Sequence, residues 1–202
     1  ELKGVVRVTA DYCADRMLLT ATRLFVQRYP EVRLQIIANG KDLDLEAGDA
    51  DIALQVTDTP PPSLVGRRIA HVGFTLYAAH GLLELVGDNP EAPDVPCIQS
   101  ARAGPLPSDW VQRCFPNTQR IYHSTSLSVT LSMAREGIGV ARLPCALGDP
   151  DPALDRFPGC TVERGPGLWI LSHVNLRNTV RLRIFRDFLV AELDKHRGLI
   201  EG

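Results

Sequence analysis

The sequence predicts an α/β protein built as two lobes, and three observations carry that prediction. Segments of period-2 apolar alternation trade places along the chain with segments of helical spacing. The earliest of these run strand, helix, strand, helix, strand, and such crossovers demand a parallel sheet covered by helices. The 202 residues suffice for one large domain or for two small lobes, each with its own core.

Each element follows from local pattern. Val6, Val8 and Ala10 alternate with Val5, Arg7 and Thr9, the mark of a strand. Asp15 offers an N-cap, and Leu18, Ala21, Phe25 and Tyr29 recur at helical spacing until Pro30 stops the helix. Val32, Leu34 and Ile36 make a second strand, residues 42–47 a short helix closed by Gly48, and residues 51–56 a third strand. Thr59, three prolines and Ser63 form a turn and not a linker, because strands resume at once over 64–70 and 74–79. A second α/β unit follows, with strands over 95–99, 120–123 and 138–142. Between the last two, Ser124, Thr125 or Ser126 caps a helix that carries Leu127, Leu131 and Ala134 on one face, and Gly137 closes it. Residues 168–174 form a strongly apolar strand. A long helix over 178–196 is expected to bury Val180, Ile184, Phe188 and Leu189.

Composition then narrows the function. Hydrophobic residues make up 45% and charged residues 23%, which argues against disorder, and the net charge of -2 supplies no phosphate-neutralising surface. If the protein acts on DNA, another part of it must make the contact. No stretch approaches the roughly 20 apolar residues of a membrane span, and no secretion signal opens the chain. The first residue is Glu1 and not a methionine, so the expectation is a fragment of a longer protein. Five cysteines with no C-x-x-C pair fit a reducing cytosol, and a cytoplasmic location is expected.

Candidate chemistry is sparse. The five histidines show neither H-x-x-x-H nor H-E-x-x-H spacing, so neither a metal nor a cofactor is expected. Gly137-Ile-Gly139 lacks the third glycine of a dinucleotide fingerprint and ends a helix instead of opening one. Neither a G-x-S-x-G elbow nor a P-loop occurs, no histidine–carboxylate pair accompanies Ser124 to Ser126, and no enzymatic activity is expected. Asp11, Tyr12 and Cys13 follow the first strand, where an α/β fold places its ligand. They either contact that ligand or serve as a helix cap and first-turn packing.

The series of motifs is more specific than any one of them. Gly4-Val-Val-Arg-Val-Thr-Ala10 opens the chain, and Leu24-Phe-Val-Gln-Arg-Tyr-Pro-Glu-Val-Arg-Leu34 contains F-x-x-x-Y-P-x-V-x-L. Asp44-Leu45 with Gly48-Asp-Ala-Asp-Ile-Ala53 gives D-L-x-x-G-x-x-D-I-A. Leu64-Val-Gly-Arg-Arg-Ile69 precedes Leu76-Tyr-Ala-Ala79. Later come Glu136-Gly-Ile-Gly-Val-Ala-Arg-Leu-Pro144 and the closing helix from Val180 to Leu189. In order and spacing this resembles the effector-binding domain of LysR-type transcriptional regulators across nearly the whole chain. Residues 81–120 depart most from the family pattern.

The resemblance implies a type 2 periplasmic-binding-protein fold, two Rossmann-like lobes joined by two crossover strands. Residues 1–71 with 166–202 would form the first lobe and residues 72–165 the second. It also implies a winged helix-turn-helix before this domain, absent from this sequence, through which the whole protein would bind DNA. A small-molecule effector in the interlobe cleft would act by its difference in affinity for two arrangements. Contacts are expected from Ala10, Asp11, Tyr12, Cys13, Asn39, Lys41, Gln55 and Thr57 in the first lobe. In the second they come from Gln99, Ser100, Ser124, Thr125 and Ser126. Family effectors are often small carboxylates or aromatic acids, and Lys41 with two helix N-termini suits an anion. Asp11 counts against that unless it caps its own helix. A homodimer or homotetramer is implied, with the helix over 16–29 packing near the partner's second lobe. A solute-binding protein of a transporter is the alternative on the same fold, and an enzyme on that fold is the second.

Overall fold

The computed structural model describes residues 3–10, 12–37, 49–87, 94–100, 109–176 and 179–202. In chain order the first elements are β1 (Gly4–Ala10), α1 (Tyr12–Arg28), β2 (Val32–Ile37), β3 (Ile52–Thr57) and β4 (Leu64–Ala79). Then come α2 (His80–Val86), β5 (Cys97–Ser100), α3 (Asp109–Cys114), β6 (Ile121–Ser124) and α4 (Leu127–Arg135). The chain continues through β7 (Val140–Pro144), α5 (Cys145–Gly148), β8 (Leu154–Arg156) and β9 (Glu163–His173). It ends with α6 (Val180–Lys195) and α7 (Arg197–Glu201). Two compact units result. Unit 1 is Glu1–Val72 with Arg164–Glu201, and unit 2 is Gly73–Glu163 with the terminal Gly202. The chain passes between them twice, within β4 and at the start of β9.

In unit 1, β1 lies between β2 and β3, parallel to both, while β3 runs antiparallel to β9, which adjoins β4. A central strand must bury both faces, and Val6, Val8, Thr9 and Ala10 are all buried. α1 lays Leu18, Ala21 and Phe25 inward, and α6 lays Leu182, Phe185, Leu189 and Leu193 inward. The Phe25 ring meets Phe185 edge-on at 4.7 Å and Phe188 at 5.3 Å, and Tyr29 closes the group at 4.8 Å. Fully burying one such ring contributes about 2–3 kcal/mol.

In unit 2, β4 runs antiparallel to β7 and β8, β7 is parallel to β5, and β5 is parallel to β6. Successive β4 residues face opposite ways, so each face has its own core. Leu76 and Ala78 join Val95, Trp110, Phe115 and Phe157, whereas Tyr77 joins Ile98, Leu131, Ala134 and Leu143. The Phe115 ring stands at 90° to Phe157, 5.1 Å away. Gly148 sits against the Tyr77 ring so closely that a Cβ there would fall 2.3 Å from Cζ. Gly137 takes φ +70° just past the end of α4, and a Cβ on Gly139 would fall 2.8 Å from the Pro96 carbonyl oxygen. That pair of glycines serves backbone geometry.

Three local expectations are corrected. α1 opens at Tyr12, so Asp15 lies inside the helix and is no cap. The strands expected over 64–70 and 74–79 are one 16-residue strand, because Val72 is buried and Gly73 stays extended. α6 buries Leu182, Phe185, Leu189 and Leu193, while Val180 is 54% exposed at its first turn. Two apolar stripes interleave on that helix, and the one that spans its whole length turns inward. The short helix expected over 42–47 lies outside the described residues.

Candidate functional site

The carboxyl ends of parallel strands are where an α/β sheet presents a ligand, since helices begin there with free amides. In unit 1 the ends of β1 and β3 stand side by side, with Ala10 in register with Leu54. This brings Ala10 within one residue of Gln55. α1 starts two positions after Ala10, so Tyr12 and Cys13 open that helix. Ala10 itself is buried, and Gln55 and Thr57 are half-buried. The Thr57 hydroxyl accepts from the Thr59 amide at 3.1 Å, and its carbonyl accepts from Trp169 Nε1 at 3.0 Å. Thr57 is therefore partly spent on shaping its own turn. Asp11, Asn39 and Lys41 lie outside the described residues, as do the side chains of Tyr12 and Cys13.

Unit 2 repeats the arrangement with serines. Ser100 at the end of β5 stands in register with Ser124 at the end of β6, and Gln99 with His123. Ser124 Oγ receives the Ser126 amide at 3.2 Å and lies 2.9 Å from the Ser126 carbonyl. This folds residues 124–126 into a tight turn that launches α4. Ser126 occupies the N-cap position with extended backbone, φ -120° and ψ 125°, but no side chain caps the helix. Its hydroxyl pairs with Ser128 Oγ at 2.9 Å instead. The capping role expected of Ser124, Thr125 or Ser126 is thus not filled. The first amides of α4 keep their partial positive charge uncapped by side chains. Thr125 is exposed beside them.

The structure brings Ala10 and Gln55 together in unit 1, and Ser100 with Ser124 in unit 2. One residue escaped the sequence reading. Trp169, on β9, stands in register with Gln55 and places its indole on the Thr57 carbonyl, while the Arg68 guanidinium lies 5.8 Å over its ring. Its signal was an indole within the aliphatic run of Leu168, Ile170 and Leu171. Among the described residues no group of three or more His, Cys, Asp or Glu side chains is arranged to hold a metal.

Away from these strand ends, unit 2 carries a polar network behind its sheet. The buried Tyr77 hydroxyl donates to Asp149 Oδ1 at 2.7 Å, and Arg156 donates to both Asp149 oxygens at 2.8 and 2.7 Å. Arg156 holds the Asp149 carboxyl below its ordinary range, and burial, then the Asp149 contact, pushes the Tyr77 phenol up. This network fixes β4 against α5 and β8.

Comparison with known proteins agrees with this fold. The model of the LysR substrate binding domain matches residues 1–194. The chain is 26% identical over 179 residues to the probable HTH-type transcriptional regulator LtrA of Klebsiella pneumoniae, which covers 82% of this chain and 58% of that protein. It thus spans little more than half of that relative. The regulatory domain of CrgA, a LysR-type transcriptional regulator from Neisseria meningitidis, superposes with a TM-score of 0.80 at 23% identity, over 95% of this chain and 99% of that one. The effector domain of the transcriptional regulator AmpR of Pseudomonas aeruginosa gives a TM-score of 0.75 at 20% identity, over 96% and 98%. At those identities the structural likeness establishes the fold, and the family match over nearly the whole chain establishes membership: the chain belongs to the LysR substrate-binding domain family, the non-enzymatic effector-binding module of LysR-type regulators.

Proposed function

We propose that this chain senses a small anionic metabolite through strand ends and helix starts, and so controls transcription by a longer LysR-type regulator. The observation that carries the reading is the side-chain-free N-terminus of α4, reached through the Ser124–Ser126 turn next to Ser100. Backbone amides with a favourable dipole suit a carboxylate, and nearby hydroxyls supply neutral donors that orient it. In this reading the contact residues are Ala10 to Cys13, Asn39, Lys41, Gln55 and Thr57 in unit 1, and Gln99 and Thr125 in unit 2. DNA contact is assigned to a winged helix-turn-helix outside this chain.

The proposal includes a symmetric dimer. α1 exposes Leu19 (56%) and Val26 (37%). On unit 2, Val129, Met133 and Ile138 line an open groove of about 260 Å³ along α4. Two apolar faces on one chain can each cover the other's counterpart in a two-fold pair.

The test is a melting-temperature screen against small carboxylates and aromatic acids, followed by calorimetry on any that stabilise the chain. Binding should be saturable, and Gln55→Ala and Thr125→Val should each weaken it about tenfold, as expected for a lost contact of about 1.4 kcal/mol. An acid that binds equally well to both variants would remove these residues from the site. Failure of every acid in the screen would remove the anion reading.

A further inference from the structure

Beside the end of β3, unit 1 holds an arginine in place without giving it a counter-ion. A Cβ on Gly167 would fall 2.8 Å from Trp169 Nε1 and 2.8 Å from Arg68 Cδ, so both side chains lie across the bare glycine. The indole is fixed there by its bond to the Thr57 carbonyl at 3.0 Å. The Arg68 guanidinium lies 5.8 Å from the ring centroid, inside the cation–π reach of about 6 Å. Gly167 stands in register with Thr57, and Trp169 with Gln55. Residues in register share a sheet face, so the indole and the arginine over it lie on the face that carries Gln55 and Thr57.

Arg68 differs from its chain neighbour in what it is bound to. Arg67 donates to Asp194 at 3.2 Å, whereas among the described residues Arg68 has neither an ion pair nor a hydrogen bond. The Gln55 side-chain amide is likewise unbonded among them. Arg68 is exposed, and Gln55 and Trp169 are half-buried. A guanidinium steadied by a ring and neutralised by no carboxylate offers its fork of N–H donors outward, and that fork matches the two oxygens of a carboxylate.

We infer that Arg68 is the group in unit 1 that receives the carboxylate of the sensed acid, with Trp169 as its positioning residue and Gln55 as a neutral donor beside it. The inference rests on the reading above, in which Gln55 contacts the effector, and deepens it by naming the cation. It also says what this site selects. With Arg68 over its ring, Trp169 serves the cation and is not the surface on which a ligand's own ring stacks. Recognition therefore falls on the acid group. Acids should be separated sharply from their uncharged amides here, and aromatic acids only weakly from aliphatic ones.

The test observes the arginine itself. In the 15N-labelled full chain the Arg68 Nε–H signal is assigned by its loss in Arg68→Gln. Benzoate, succinate, benzamide and any acid that stabilises the chain in the melting screen are then titrated at neutral pH. The expected result is a saturable shift of that signal with the acids and none with benzamide at the same concentrations. By calorimetry Arg68→Gln should weaken acid binding about tenfold or more. Arg68→Lys, which keeps the charge but not the fork, should recover only part of it. Trp169→Leu should release the Arg68 signal from its ring-current shift and weaken binding. Trp169→Phe, which keeps a ring beneath the guanidinium, should restore both. An acid that binds yet leaves the Arg68 signal unmoved overturns the inference while the broader reading stands. So does equal affinity in Arg68→Gln, or a benzamide shift as large as that of benzoate. If no acid binds the unsubstituted chain, the inference and the reading it rests on fall together.

Discussion

Unit 1 is stitched from the two ends of the chain, whereas unit 2 is, but for the terminal Gly202, one continuous stretch, and they hold themselves together by different chemistry. Phe25 meets Phe185 and Phe188 across some 160 residues of sequence, and that seam between α1 and α6 is apolar. Unit 2 has aromatic packing too, but it adds a charged network, with Asp149 between a buried phenol and an arginine. Asp151, also buried, is bound by Arg135. An apolar seam is indifferent to pH, and a network of ionised groups is not. The two units should therefore respond differently to acid.

The largest effect is expected in the unit 1 seam. Phe25 is fully buried, and Phe25→Ala should cost about 3–5 kcal/mol, read from chemical denaturation. Phe188 is only half-buried, so Phe188→Ala should cost less. Both losses should be the same at pH 4 and at pH 7. A pH-dependent loss at Phe25 would show that the seam is coupled to ionisable groups, and the contrast with unit 2 would fail.

Asp149→Ala comes next, at about 2 kcal/mol at neutral pH, because it leaves the buried Tyr77 hydroxyl without its acceptor and Arg156 without its partner. The carboxyl is 25% exposed and the guanidinium 41%, which keeps the ionic share small. The folded pKa of Asp149 is lowered, chiefly by Arg156. Its charged-state stabilisation is therefore present above the ordinary value of 3.8 and is lost as pH falls through the lowered value. Asp149→Asn keeps an acceptor for Tyr77 and should lose only the charge, so its deficit should shrink in strong acid. An unchanged deficit there would assign the effect to packing.

How much of this was legible in the sequence depended on how local each signal was. Period-2 alternation around Val6 and Val8 and helical spacing from Leu18 to Phe25 report directly on which atoms face inward, so elements of unit 1 and the fold class could be read. α6 shows the limit. Its sequence contains two interleaved apolar stripes, and only the partners on α1 decide which one turns in. Ser126 shows another, since hydroxyls at 124, 126 and 128 compete for one another, and composition at an N-cap position cannot reveal that the side chain chose Ser128. The Tyr77–Asp149–Arg156 network was invisible for a third reason. Its members are 72 and 7 residues apart and meet only when β4 and β8 pair.

The smallest expected effect lies at the surface of unit 2 and has the opposite sign with pH. His80 Nδ1 lies 2.7 Å from Asp155 Oδ2, and its Nε2 lies 2.9 Å from the Pro152 carbonyl. Two acceptors facing both ring nitrogens are satisfied together only by the imidazolium, which has two N–H donors. The Pro152 carbonyl, then Asp155, accordingly raises the His80 pKa above 6.5. A raised folded value means the stabilisation is fully present below 6.5 and is lost as pH rises through that folded value. Asp149 stabilises unit 2 by being deprotonated, and His80 by being protonated. An NMR titration should place His80 above 6.5, and Asp155→Asn should bring it partway back, because the carbonyl remains. The side chain is 52% exposed, so the shift should be measurable in the spectrum but barely visible in a denaturation curve. A His80 that titrates at or below its ordinary value would mean that solvent competes successfully for both ring nitrogens, leaving acid-side carboxylates as the source of any pH response in unit 2.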